Sequence, residues 1–273
     1  MDPLLKWVGG KRWQVPLLRM YYNRDRRLVE PFCGGLSIAL GLEPKLALLN
    51  DINPHLINFY KQVQHGVPID TGHPPQADTY YEMRDTFNCL VRDHVSAPNT
   101  EAMLFFALNH WGFNGLWRVN KSGLCNVPPR PVLRPLPTPP WHEYTEKFNH
   151  WMFTCSDFER LNLCSTDFVY CDPPYHETYS GYDAAGFNLG DHVRLFNWVR
   201  KHPGPACICN AMTPQMTSLY EDGGWNWVEL ESRQQMQASR GRVDRVPEIL
   251  AFNEQFAIDR SRACTHDRQE ITQ

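Results

Sequence analysis

The chain has 273 residues, 42% of them apolar and 21% charged, with a formal net charge of −3. This balance suits a globular protein with one large domain or a domain carrying an insertion, and nucleic acid, if bound, must be held by local patches. Nine cysteines without a CxxC pair argue against a disulfide framework or a zinc site, and no apolar run approaches the roughly 20 residues of a membrane span.

The first strand is expected at Leu28–Phe32, followed by Cys33-Gly34-Gly35 and a helix over Ser37–Leu42. A second apolar run, Leu46–Leu49, ends in Asn50-Asp51-Ile52-Asn53-Pro54. The spacing of Leu56, Ile57, Phe59, Tyr60 and Val63 then predicts a helix over His55–Gln64. Strand, glycine turn, helix, strand, acid, helix is the opening of a doubly wound α/β domain. The pattern breaks at Gly66–Ala77, a connection rich in proline and glycine, and two helices follow near Tyr80–His94 and Thr100–His110. A segment dense in Gly, Asn and Pro runs on to Pro140. No acid occurs between Glu101 and Glu143, whereas Arg118, Lys121, Arg130 and Arg134 all lie there. Residues 61–140 therefore read as an inserted, mainly helical domain ending in an electropositive, largely irregular surface.

The α/β pattern resumes with a helix near His142–Trp151 and strands at Met152–Cys155 and Phe168–Cys171. A helix over Asp191–Lys201 and strands at Ala206–Asn210, Trp227–Glu231 and Glu248–Phe252 complete it. Cys207 and Cys209 should point to one face of their strand. Residues 232–243, with three arginines and no acid, suggest a basic hairpin tip, and 261–273 a polar tail. The main domain would then comprise residues 1–60 and 141–260. Met1–Lys11 lacks the apolar core of a signal peptide, so a soluble, cytoplasmic protein is expected, with no membrane partner.

Three local signals carry chemistry. Glu30-Pro31-Phe32-Cys33-Gly34-Gly35 behind a strand lets backbone approach a ligand closely, although a tight turn explains it as well. Asn50-Asp51 ends the next strand, where an acid commonly takes the ribose hydroxyls of an adenosine-containing cofactor or simply opens the following helix. Asp172-Pro173-Pro174-Tyr175 is the strongest. Its prolines stiffen the turn, while a carboxylate and free carbonyls stand beside an aromatic ring at a strand end. Such a corner accepts hydrogen bonds from an exocyclic amine and stacks a flat base.

With Lys6-Trp7-Val8-Gly9-Gly10-Lys11-Arg12, these segments resemble the motif series of the Dam-type DNA adenine-N6 methyltransferases. Asn109 to Asn120 and Asn126-Val127-Pro128 resemble that family's target-recognition segment. The resemblance runs from Leu5 to about Phe252 and implies a Rossmann-like methyltransferase sheet with an inserted recognition domain. It implies S-adenosylmethionine as cofactor, double-stranded DNA as partner and no metal, the protein acting as a monomer or as a dimer on DNA. Trp7, Lys11, Phe32, Gly34, Asp51 and Asp172 would contact the cofactor, with Asp157 and Phe158 flanking its adenine. Asp172, Pro173, Pro174 and Tyr175 would form the catalytic corner. On the DNA side, Arg118 would read a guanine, Leu116 and Pro128 would touch outer bases, and Phe113 would wedge into the duplex. Lys6, Asn114, Asn120, Lys121 and Arg130 would complete that surface, with Arg134, Arg240 and Arg242 on phosphates. His176 and Tyr179 would stand near the active-site turn. The implied site is GATC.

This sequence departs from the family at Leu36, where several relatives carry glycine, at the bulky Trp117, and at Pro129-Arg130-Pro131, one residue short. Rival readings are a DNA cytosine-N4 methyltransferase, which more often carries serine at the Asp172 position, and a protein-glutamine methyltransferase. A catalytically dead DNA-binding module is a third, opposed by intact Lys11, Asp51, Asp172 and Tyr175.

Overall fold

The computed structural model describes residues 1–175, 186–230 and 247–257. Its strands are β1 (Leu28–Glu30), β2 (Ala47–Asn50), β3 (Trp151–Thr154), β4 (Phe168–Cys171), β5 (Ala206–Ala211), β6 (Asn226–Leu230) and β7 (Glu248–Phe252). They form one sheet in the order β3-β2-β1-β4-β5-β7-β6. All neighbours pair in parallel except β7, which runs antiparallel to both β5 and β6. This is the expected doubly wound, Rossmann-like α/β sheet. Its strand order reverses between β1 and β4, the position where such sheets open a ligand crevice at the strands' carboxyl ends.

The inner strands β1, β2, β4 and β5 are buried on both faces, and strand residues alternate between two apolar layers as their period of two requires. Leu28, Leu49, Phe168, Tyr170, Cys207, Cys209 and Leu250 join one layer. Val29, Leu48, Val169, Cys171, Ile208, Ile249 and Ala251 join the other. Cys207 and Cys209 do share a face, and the described cysteines are all free thiols.

The helices are α1 (Val15–Leu18), α2 (Ser37–Leu42), α3 (Pro54–Gln64), α4 (Ala77–Arg92), α5 (Pro98–Trp111), α6 (Trp141–Phe148), α7 (Leu189–Val199) and α8 (Pro214–Asp222). Asn53 caps α3 by accepting the N–H groups of His55 and Leu56 at 3.0 and 3.3 Å, with Pro54 at the first helical position. The apolar side of α3 is buried as its spacing predicts. Helix α5 is apolar nearly all round because it is buried. Phe105 and Phe106 pack against Phe59 of α3, so 61–140 shares one continuous core with a face of the sheet.

Two expectations need correction. Helix α8 is absent from the sequence reading, although Thr213-Pro214 marks its start and the Thr213 side chain accepts the Met216 N–H. The stretch after α5 is also more ordered than expected. Val119 bridges Cys125 in antiparallel fashion, and Asn120 N–H donates to the Leu124 carbonyl at 2.9 Å, closing a small hairpin. Residues 232–243 with Arg240 and Arg242, His176 and Tyr179, and the 261–273 tail lie outside the described residues. Among the described residues, no helix is long and apolar enough to cross a membrane.

Candidate active site

The carboxyl ends of β1, β2 and β4 bring the three sequence signals together at one edge of the sheet. At β1 the glycine turn is held from three sides. Asp51 Oδ2 accepts the Gly34 N–H at 3.1 Å, and the Tyr60 hydroxyl donates to the Gly34 carbonyl at 2.8 Å. The Trp7 indole covers the turn so closely that a Cβ on Gly34, whose φ is +43°, would stand 2.9 Å from the ring. Only glycine fits there. Next along the chain, Leu36 takes φ 59° and ψ 25° while fully buried. The turn keeps the left-handed backbone that glycine favours, even though this chain carries leucine.

At the end of β2, Asp51 Oδ1 also accepts the Asn53 N–H at 3.0 Å. Burial raises its pKa, and these backbone donors oppose the rise. Asn50 is sealed beneath it, donating to the carbonyls of Pro31 and Ser156 at 2.9 Å each. This amide ties the ends of β1 and β2 to the loop after β3.

At the end of β4 stands the acid of the Pro-Pro-Tyr turn. Asp172 keeps 21% of its side chain exposed. Its Oδ1 is buried, lies 3.8 Å from Lys11 Nζ and has no hydrogen-bond partner. Burial raises its pKa to about 6, Lys11 pulling it down and Glu248 pushing it up. Burial also disfavours the Lys11 ammonium, but Asp172 and Glu248 outweigh that, and its pKa rises. Lys11 Nζ sits over the Tyr175 ring, 4.4 Å from its centroid. Glu30, ending β1, is a further buried acid with Oε1 unpartnered, pushed well above the carboxylate range by burial.

The structure thus gathers Trp7, Lys11, Gly34, Asp51, Asp172 and Tyr175. Phe32 lies at the rim, its ring 5.7 Å from Phe158. Asp157 caps a 3-10 turn through the Glu159 N–H and is ion-paired to Arg194. Phe158 is 4% exposed and packs into the second core layer, so its ring faces protein. Glu248 is a site residue the sequence reading missed. A depression of about 460 Å³ near the N-terminus, lined by Met1, Glu43 and His150 among others, holds none of these groups.

The expected DNA-facing residues cluster after α5. Phe113 is 43% exposed, and its N–H donates to the Pro128 carbonyl at 2.9 Å, which sets these two exposed residues side by side. Asn114 is exposed with φ 55°, and Leu116 is half-buried. Arg118 is held by Asn126, Nε to Oδ1 at 2.8 Å, which orients its exposed guanidinium. Lys121 is exposed and Arg130 half-buried. The side-chain oxygen of exposed Asn120 accepts the N–H groups of Ser122 and Leu124 and builds the hairpin turn. Trp117 is 3% exposed and packs on Phe105 at 4.4 Å, so its bulk fills core and leaves the surface alone.

One bracket joins this surface to the crevice. Asn109, fully buried, accepts the Lys6 N–H at 2.8 Å and donates to the Lys6 carbonyl at 2.9 Å. Gly115 comes so close that a Cβ there would lie 2.4 Å from Lys6 Cβ. Lys6 Nζ donates to the His110 carbonyl, and burial, then Arg130 and Arg134, lower its pKa.

The family model of the D12 class N6 adenine-specific DNA methyltransferases matches residues 7–236. The retron Ec67 DNA adenine methylase of Escherichia coli is 31% identical over 93% of this chain and 92% of its own. A DNA adenine methylase of Salmonella typhi is 29% identical over 91% of this chain and 94% of its own. Among solved structures, a tRNA (m1A58) methyltransferase from Aquifex aeolicus aligns at 9% identity and a TM-score of 0.38, covering 89% of this chain and 68% of that one.

Proposed function

The chain belongs to the D12 class N6 adenine-specific DNA methyltransferases, and on that premise we propose how its residues divide the work and which sequence they serve. It is an adenine-specific DNA methyltransferase of an S-adenosylmethionine-dependent family. Our reading is that it turns adenine out of duplex GATC and methylates N6, with residues 61–140 as the recognition part. The observation that carries it is the convergence of Asp172, Lys11 and Tyr175 at the β1/β4 switch.

The crevice suits a sulfonium nucleoside. Asp51 offers spare lone pairs to ribose hydroxyls, the glycine turn under Trp7 admits backbone approach, and Lys11 is outnumbered by acids, which favours a cationic donor. When bound, S-adenosylmethionine supplies an electrophilic methyl, its C–S electron pair remaining on sulfur as the N6–C bond forms.

The protein's own task is to prepare the amine. The N6 lone pair is delocalised into the adenine ring and is a poor nucleophile. Hydrogen bonds from its two protons to the Asp172 carboxylate and the Pro173 carbonyl favour a pyramidal nitrogen with a localised pair. After N6 gains carbon it carries one proton too many, and Asp172 accepts that proton and passes it to water. Positioning and electrostatics supply the acceleration. A paired base hides N6, so the adenine must leave the stack and lie on Tyr175. Arg118, held by Asn126, donates to a guanine edge, while Lys121 and Arg130 take phosphates.

The test is methylation of a random-sequence duplex library followed by mapping of modified bases. N6-methyladenine confined to GATC is expected; marks on cytosine, or on adenine in another context, would displace the reading. Asp172→Ala should abolish transfer while DNA binding persists, and retained turnover would remove Asp172 from catalysis.

A further inference from the structure

Glu248 lies outside every sequence signal, yet it completes the catalytic corner. It opens β7, paired with Ala211 of β5, and is 3% exposed. Its Oε2 accepts the Tyr175 hydroxyl at 2.8 Å and lies 3.7 Å from Lys11 Nζ. A carboxylate is seldom buried this deeply unless paired, and this one is paired twice with the same machinery. The Tyr175 hydroxyl also meets Cys209 Sγ at 2.9 Å, and that sulfur accepts from Gln14 Nε2 at 3.0 Å. Gln14 in turn accepts the Tyr170 hydroxyl at 2.8 Å. The phenol end of Tyr175 is therefore anchored in a closed polar network, and Lys11 covers one face of its ring.

We propose that Glu248 is a positioning residue for methyl transfer. It fixes the plane of Tyr175 through the hydroxyl and holds Lys11 beside Asp172. The proposal rests on the reading that Tyr175 stacks the expelled adenine.

Glu248→Ala, Glu248→Gln, Tyr175→Phe and the Glu248→Ala/Tyr175→Phe double variant separate this role from a purely structural one. Two readouts are needed: the single-turnover rate at saturating DNA and S-adenosylmethionine, and the fluorescence of 2-aminopurine at the target position. Glu248→Ala should slow the single-turnover step by about 10- to 100-fold, the scale of a misplaced reacting group. Affinities for DNA and cofactor should stay within about threefold, since neither ligand's main contacts are removed. Fluorescence should rise as the base loosens on the ring, equally in Tyr175→Phe. The double variant should be no worse than Glu248→Ala, because both changes cut one link. Glu248→Gln keeps an acceptor for the hydroxyl and should restore the quenched signal. A folded Glu248→Ala within threefold of the parent rate, or losses that multiply in the double variant, would overturn the proposal. Should Glu248→Ala fail to fold, an unchanged Tyr175→Phe would do the same. A Tyr175→Ala variant that raises no 2-aminopurine signal over the parent would instead refute the stacking reading, and Glu248 would then be judged on rate alone.

Discussion

Replacing Asp172 with asparagine should kill the enzyme and strengthen the fold. The carboxylate's pKa is raised from 3.8 to about 6, burial being the main cause. Because the folded value lies above the unfolded one, the parent's stability is fullest below about pH 4 and declines as pH rises through about 6. At 1.36 kcal/mol per unit, the stability withheld above pH 7 is at most about 3 kcal/mol. Asparagine carries no charge, and Lys11 keeps Glu248 at 3.7 Å as its partner. The variant should therefore melt about 5–10 °C above the parent at pH 8, a gain that shrinks toward zero near pH 4.5. Calorimetric melting of both proteins across that range is the assay. A variant no more stable than the parent at pH 8, or a difference independent of pH, would refute the reasoning. The same acid makes methyl transfer fall on the acid side, with an apparent pKa near 6.

Leu36→Gly sets two effects against each other. Relief of the left-handed backbone is worth about 1–2 kcal/mol, but emptying a fully buried leucine site costs about 3–5 kcal/mol. A net loss of about 1–4 kcal/mol, read as a lower urea midpoint at unchanged slope, is expected; a gain would mean strain dominates. Gly115→Ala would drive a Cβ against Lys6 at 2.4 Å. It should lower the melting temperature and weaken cofactor binding by calorimetry, and a variant matching the parent in both would show that the N-terminal segment tolerates unseating. Arg118→Ala should lose about 1–3 kcal/mol of preference for the cognate duplex, whereas Lys121→Ala should weaken all duplexes alike and reduce the log–log salt slope by about 1. Equal behaviour of the two in salt titrations would void the division between base and phosphate contacts.

The sheet was legible because each strand advertises itself by a short apolar run followed by a turn residue or an acid. Lys11, Asp51 and Asp172 were legible because each lies in a dense local signal. Glu248 was not: an acid opening a strand is ordinary, and its meaning depends on the antiparallel register that sets it beside Ala211, on Tyr175 and on Lys11. Nor does any local pattern reveal that Arg194, from α7, ion-pairs with Asp157. Asn120 is a similar case. Its polar side chain serves its own backbone turn, as asparagine in turns commonly does.

The bracket at Asn109 has a kinetic corollary. Lys6 is gripped by the recognition turn, and Trp7 and Lys11 follow it within five residues, one roofing the glycine turn and the other beside the reactive acid. On the proposed reading, a base pair that displaced Lys6 would drag both along, and a wrong site would be penalised once in grip and again in turnover. A modest affinity preference would thereby become a steeper filter, with no separate proofreading step.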